Sequence, residues 1–454
     1  MDRVAFVCPG QGAYFRRAAE VLWDAVPATI EVFAEIDRVA AELGEAPVRP
    51  VLFGTAASSI DELAEQSPES LQLALYGLAV AAFHGLRERG AVPWAVIGHS
   101  IGEIPALVCA GAYTVAEGAE ISWRRVRAVR RHAGAGTMLA IGADAEVAAA
   151  LVRAVDDPLA ALAVRSAPRQ SVVSGPHATV TTIGELADWL GRWNRPVASP
   201  FAFHSPLMAA AVEPFRSDIE HIRQKPLRTE VYSTTLGRRL TDDDRFADVL
   251  ASGLVRRCDL LGVVREAHAR GAGVFVECGA RDILARTVRE IVPDVATAAC
   301  LVENADAETS LTAAARTVRH SGPGTAASGT TPIERNDRPE PAADAPERQD
   351  AQPTSATAAA PAADAASEPP PTDRASVLAD VRAMYATVLE YPEEVLEEDA
   401  DLDADLGVDS LKQTDLLARV AKKYGFAHRS TGLRMSDYPT LGRIADLVAE
   451  TGRG

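Results

Sequence analysis

Residues 94–113, WAVIGHSIGEIPALVCAGAY, run from a short apolar stretch through a glycine-bracketed serine into a helical pattern. Within them Gly98-His99-Ser100-Ile101-Gly102 has the G-x-S-x-G spacing of a nucleophile elbow. A sharp strand-to-helix turn forces the serine backbone into a crowded conformation that only flanking glycines accommodate. Strand before and helix after are the context such a turn needs, so the string predicts an α/β domain with Ser100 exposed at its sheet edge.

Upstream, RVAFVCPG reads as a strand, PGQGAY as a tight turn, and EVFAEIDRVAAEL and LQLALYGLAVAAFHGLRERG as helices. Between about 137 and 199 the order becomes TMLAIGA strand, DAEVAAALVRAV helix, LAALAV strand, QSVVSG strand, HATVTTIGELADWLGRW helix, RPVASP strand. That β-α-β-β-α-β order predicts a ferredoxin-like subdomain inserted into a larger, α/β-hydrolase-like domain with a mainly parallel sheet. TEVYSTTLG and GVFVECGARDILARTVREIV return the chain to the larger domain. A cleft between the two parts is the natural ligand site.

The segment 303–374 is rich in alanine, proline and charge and poor in large apolar residues, which predicts a disordered linker. It separates a domain at 1–302 from a small one at 375–454. In the latter, Val377, Val381, Met384 and Val388 make a helical stripe, predicting an all-α bundle.

The chain has 454 residues, 47% hydrophobic and 24% charged, enough for more than one core. A net charge of -17 argues against a nucleic-acid partner. The N-terminus lacks a signal pattern and no run reaches the roughly 18 apolar residues of a membrane span, which predicts a cytoplasmic protein without a membrane partner. The five cysteines are scattered without a CxxC pair, so buried free thiols are expected and no metal site is.

A serine hydroxyl needs a base within hydrogen-bond reach. Of the nine histidines, His204 in SPFAFHSPLM follows the subdomain's last strand, where the chain re-enters the cleft. Position alone leaves it open between base and structural histidine, while His99 is read as supporting the turn. An oxyanion needs two donors, and the backbone N–H groups of Ile101 after the elbow and Gln11 in PGQG both follow strands of the same sheet. Taken alone, PGQG is a tight turn. Arg125 in ISWRRVRAVRR can pair with a carboxylate if it faces the cleft, but spacing does not choose among these arginines, and such a run also suits a solvated helix face. Ser410, after a glycine turn in DLGVDSLK, reads by itself as a helix N-cap.

Together PGQG, GHSIGE, an arginine 25 residues after the serine, AFHSPLM and FVECGARDIL resemble the malonyl-CoA:acyl-carrier-protein transacylase family, specifically polyketide synthase acyltransferase domains, over about residues 3–300. The resemblance implies that an acyl-CoA acylates Ser100, with His204 as general base and acid, oriented by a backbone carbonyl in place of an aspartate. It further implies that Gln11 and Ile101 form the oxyanion hole. WRRVRAVRRHAGAGTMLAI lines up so that Arg125, not Arg124, holds the free carboxylate of a malonyl-type group. The family's malonyl members commonly have HAFH where this chain has FAFH, so Phe203 favours malonyl. Phe201 and Arg165 depart from the pattern, at positions where either residue reshapes the pocket.

Residues 375–454 resemble an acyl carrier protein, including the SDYPTLGRIADLV stretch, which implies 4'-phosphopantetheine attached to Ser410. An acidic loop before Ser410 suits basic partner surfaces. The whole then reads as an acyltransferase joined to a carrier, loading it in cis or in trans. Its expected partners are a phosphopantetheinyl transferase and a ketosynthase or other polyketide synthase subunit on another polypeptide. Acyl exchange between carriers, a thioesterase-like editing hydrolase and an idle carrier or docking protein are the rival readings.

Overall fold

The computed structural model describes residues 3–54 and 57–321 and, further on, 374–389, 396–398, 402, 416, 417, 420, 423, 424 and 440–451. The chain folds as two compact units, 1–333 and 334–454.

In the first unit a six-stranded sheet has the order β11 (Ala296–Leu301), β10 (Ala272–Ala280), β1 (Arg3–Cys8), β2 (Ala95–Gly98), β7 (Glu230–Ser233), β8 (Arg238–Arg239). All neighbours pair in parallel except β7 and β8. Five of the six β1 residues and every β2 residue are buried, as continuous apolar runs in a parallel sheet covered on both faces should be. The helix Pro68–Glu88, with proline in its first turn, is buried on most of its circumference. β1 is the point where the strand order reverses, β10 lying on one side and β2 on the other. In open α/β sheets ligands bind beyond the carboxyl ends of strands at such a point, and Gln11, Ser100 and Ile283 all follow those ends.

The second sheet has the order β6 (Asn194–Pro196), β3 (Gly136–Ile141), β5 (Gln170–Pro176), β4 (Ala161–Ala167), β9 (Cys258–Asp259). Its first four strands pair antiparallel, with the helices Ala145–Ala154 and His177–Trp189 as crossovers, the ferredoxin-like arrangement expected from the strand and helix order. β9 adds to that expectation: it comes from outside 137–199 and pairs in parallel with β4, Val164 opposite Cys258. This strand carries the chain of the larger part beneath the cleft.

The expected linker begins too early. Residues Ala307–Ser321 form a helix, and Leu311, Ala314, Ala315 and Val318 are buried in the main core. Their i, i+3, i+4, i+7 spacing is helical, but small residues dominate and mask the stripe in composition. Residues 322–373 of the proposed linker lie outside the described residues.

In the second unit the helices Arg374–Leu389 and Leu441–Thr451 share a core of Val377, Val381, Tyr385, Leu441, Ile444 and Val448, joined by Leu396, Leu416 and Val420. Ser410 lies outside the described residues. Among the described residues, no helix is long and apolar enough to cross a membrane.

Candidate functional site

The elbow forms as its glycines predict. Ser100 sits at φ 56, in the left-handed region. A Cβ on Gly102 would lie 2.1 Å from the Cys8 carbonyl oxygen, and one on Gly98 would lie 2.6 Å from the Glu103 Cα. The turn therefore packs against the end of β1 at a distance no other residue permits.

Ser100 Oγ and His204 Nε2 are 2.8 Å apart, and His204 Nδ1 is 3.0 Å from the Arg256 carbonyl oxygen. A carbonyl only accepts, so Nδ1 carries the proton and donates it. Nε2 is then the acceptor for the Ser100 hydroxyl. His204 is itself at φ 61, with its N–H donating to the Leu254 carbonyl at 2.8 Å, so its backbone is fixed by the chain that leads into β9. Cys258 Sγ lies 3.6 Å from Nδ1, packed against the ring. Burial, the Arg125 charge and His99 together push His204 down to about 3, which leaves it neutral at pH 7 with Nε2 unprotonated. His99 is half-buried beside Ser100, its Nδ1 buried without a partner, and desolvation pushes it down to about 4.

Arg125 lies on the buried side of the helix Val115–Val129, which starts with a Thr114/Glu117 capping box. Its neighbours in the run point elsewhere: Arg124 pairs with Glu120, and Arg127 lies over Trp123 at 4.9 Å. Arg125 is 5% exposed, donates to Gln72 Oε1 at 2.7 Å, and stacks over the Phe203 ring at 4.0 Å. Burial lowers it to about 10, still charged at neutral pH. Gln72 also donates to Gln11 Oε1 at 2.8 Å, and Gln11 Nε2 donates to the Ala198 carbonyl at 2.8 Å. The glutamine side chain is thus tied between the two parts of the unit, and Gln11 and Ile101 both border the cleft with Ser100, Arg125, Phe203 and His204.

Two substrate-pocket expectations are corrected. Phe201 is buried behind Phe203, ring centroids 5.3 Å apart, and does not line the cleft. Arg165 also stays out of it, because alternate β4 residues face opposite ways: Val164 and Ser166 line the cleft while Arg165 turns to Asp259 at 3.3 Å. Gln72 and Glu103 have no role in the sequence reading. For Gln72 the signal is one amide inside an apolar helix. Glu103 accepts from Ser233 Oγ and the Thr235 N–H, both at 2.8 Å, and burial still pushes it up to about 7. It shares a small cavity with Ser100, Arg125 and His204. The cysteines are all free and buried, apart from half-buried Cys109.

Residues 5–321 match the family model of the acyl transferase domain, and residues 379–448 match that of the phosphopantetheine attachment site. The chain is 32% identical over 285 residues to a phenolphthiocerol synthesis type I polyketide synthase of Mycobacterium marinum, covering 62% of this chain and 13% of that protein. It is 29% identical over 257 residues to a 6-methylsalicylic acid synthase of Penicillium patulum, covering 56% of this chain and 14% of that protein. The chain thus spans only a small part of the length of these relatives. Among solved structures, the acyltransferase domain from module 8 of the salinomycin polyketide synthase superposes with a TM-score of 0.63 at 28% identity, covering 70% of this chain and 75% of that one. A loading acyltransferase from the avermectin modular polyketide synthase gives 0.64 at 24% identity, covering 70% and 99%, a likeness of fold.

Proposed function

The chain belongs to the acyl transferase domain family, and from that premise we propose that it moves a malonyl group from CoA, through an ester on Ser100, to the phosphopantetheine thiol of a carrier protein. The acceptor is its own Ser410-borne group or a separate carrier in trans. The observation that carries this reading is Arg125, a buried guanidinium at the cleft. Among the described residues it has no carboxylate within ion-pair distance: the neutral Gln72 and the Phe203 face touch it, and Glu103 acts on it only across the small cavity they share. A buried charge without a counter-ion is costly unless a ligand supplies one, and the free carboxylate of a malonyl group matches a guanidinium in shape and charge.

In the reaction His204 Nε2 takes the proton of Ser100 as Oγ attacks the thioester carbonyl carbon. The backbone N–H groups of Gln11 and Ile101 face the developing oxyanion. As the C–S bond breaks, His204 returns the proton to the departing CoA sulfur. His204 next takes the proton of the incoming thiol, the acyl group leaves Ser100, and the proton goes back to Oγ. Arg125 holds the carboxylate throughout, which fixes the reacting carbonyl over Ser100. Phe203, stacked on Arg125, fills the space an α-methyl branch needs and favours malonyl. A phosphopantetheinyl transferase would modify Ser410, and a ketosynthase or another polyketide synthase subunit would consume the loaded carrier.

Malonyl-, methylmalonyl- and acetyl-CoA offered together test the assignment by the adduct mass on Ser100. The malonyl adduct dominates in the wild type. In Arg125→Ala it is lost while acetyl loading persists, and unchanged malonyl loading in that variant would refute the carboxylate role.

A further inference from the structure

Glu103, the residue after the elbow's second glycine, is 3% exposed. Its Oε1 takes both of its strand-end hydrogen bonds, from Ser233 Oγ and the Thr235 N–H. A glutamine oxygen would accept the same two bonds, so anchoring the turn at Ser233 and Thr235 does not call for an acid. What an acid adds is charge.

Glu103 borders a cavity of about 10 Å³, roughly the space of one water molecule, together with Ser100, Arg125, His204 and Thr235. Among the described residues, the titratable side chains that face it are Arg125 from the helix Val115–Val129, His204 from the loop after β6, and Cys258 from β9. Burial foremost pushes His204 down to about 3 and Cys258 up to about 12, so both are neutral near pH 7. Arg125 is then the charge that Glu103 meets. Burial lowers Arg125 and Glu103 opposes that from across the cavity, without reaching ion-pair distance. Burial also pushes Glu103 up to about 7, against its hydrogen bonds from Thr235 and Ser233, so its charge changes near neutral pH. A buried guanidinium that meets two carboxylates does not hold both at full charge, and one of the acids keeps a proton.

We propose that Glu103 sets how strongly Arg125 attracts a carboxylated acyl group. Ionised, Glu103 competes across the cavity for the guanidinium. When a malonyl carboxylate arrives, Glu103 takes up one proton from solvent and leaves Arg125 to the ligand. An acetyl group brings no carboxylate and leaves Glu103 as it was. The choice between carboxylated and plain acyl groups therefore depends on pH, and the preference for the carboxylated one weakens as Glu103 ionises. The inference rests on the reading of Arg125 as the clamp for the malonyl carboxylate.

The test compares malonyl- and acetyl-CoA as donors for the full chain as wild type, Glu103→Gln and Arg125→Ala. In the wild type kcat/KM for malonyl-CoA falls roughly tenfold between about pH 6.5 and 8.5, and that for acetyl-CoA does not follow it. In Glu103→Gln the ratio of the two stays level over the same range. Calorimetry of Ser100→Ala near pH 8, in buffers of different ionisation enthalpy, reads the proton without altering Glu103: malonyl-CoA binding takes up about one proton more than acetyl-CoA binding. A ratio that stays level with pH in the wild type, a Glu103→Gln chain that keeps the wild-type slope, or equal proton uptake with the two thioesters overturns the proposal. Where one of these is found, loss of the malonyl preference in Arg125→Ala at low pH leaves the clamp standing. A malonyl preference untouched by that substitution overturns the clamp and the proposal together.

Discussion

Arg125 Nη1 donates to Gln72 Oε1 at 2.7 Å, and the same glutamine donates to Gln11 Oε1 at 2.8 Å. One buried amide therefore holds both the residue read as the carboxylate clamp and the turn read as half of the oxyanion hole. Gln72→Ala leaves the buried Arg125 and the half-buried Gln11 without this partner, at a cost of about 2 kcal/mol, or roughly thirtyfold in kcat/KM for malonyl-CoA. Acetyl-CoA, which does not need the clamp, loses less. Gln72→Glu gives Arg125 an internal counter-ion and reduces malonyl transfer more steeply than acetyl transfer. Steady-state kinetics with both donors check this, and equal losses for the two would point to a purely structural glutamine.

The pH dependence follows from His204. It is pushed down to about 3 by burial first and the Arg125 charge second, so the free enzyme keeps a neutral base far below the usual histidine range. The expected kcat/KM profile for malonyl-CoA has no acid limb near pH 6.5. A bound carboxylate neutralises Arg125 and removes that part of the depression, so the acid limb of kcat lies at higher pH than that of kcat/KM. Profiles of both parameters decide it, and a kcat/KM limb near 6.5 would contradict the burial of a neutral base.

Glu277 on β10 predicts a stability effect. Its Oε2 accepts from the Ala285 N–H at 2.8 Å, its Oε1 is buried without a partner, and burial pushes the carboxyl up to about 8. A carboxyl raised in the folded state contributes stability that is fully present below its unfolded value of 4.5 and is lost as pH rises through 8. Glu277→Gln keeps an acceptor for Ala285 and removes the charge. Denaturation from pH 5 to 9 should show the variant gaining on the wild type as pH rises, by on the order of 5 kcal/mol at the upper end. Parallel curves would show that folding does not raise the Glu277 carboxyl above its unfolded value.

Much of this is legible in the sequence because it is local. The elbow is written in Gly98 and Gly102, whose missing side chains make room for Glu103 and Cys8, and the ferredoxin-like unit in the order of its strands and helices. What is not legible depends on contacts across the fold. The choice of Arg125 over its neighbours needs a family resemblance, because helical spacing puts several arginines within a turn of one another and only tertiary packing buries this one. Gln72 is hidden in an apolar helix, its partners 61 and 53 residues away. Phe201 looks like a pocket residue by its place in FAFH, yet Phe203 stands between it and the cleft. The helix Ala307–Ser321 reads as linker because its buried face is mostly alanine.

The central claim is that the acyl group passes through Ser100, and site-resolved mass spectrometry of the phosphopantetheinylated full chain after exposure to malonyl-CoA tests it most directly. The expected result is a malonyl adduct on Ser100 at short times, followed by one on the Ser410 arm or an added carrier, with neither in Ser100→Ala. A Ser100→Ala chain that acquires the same adducts as the wild type would contradict the account.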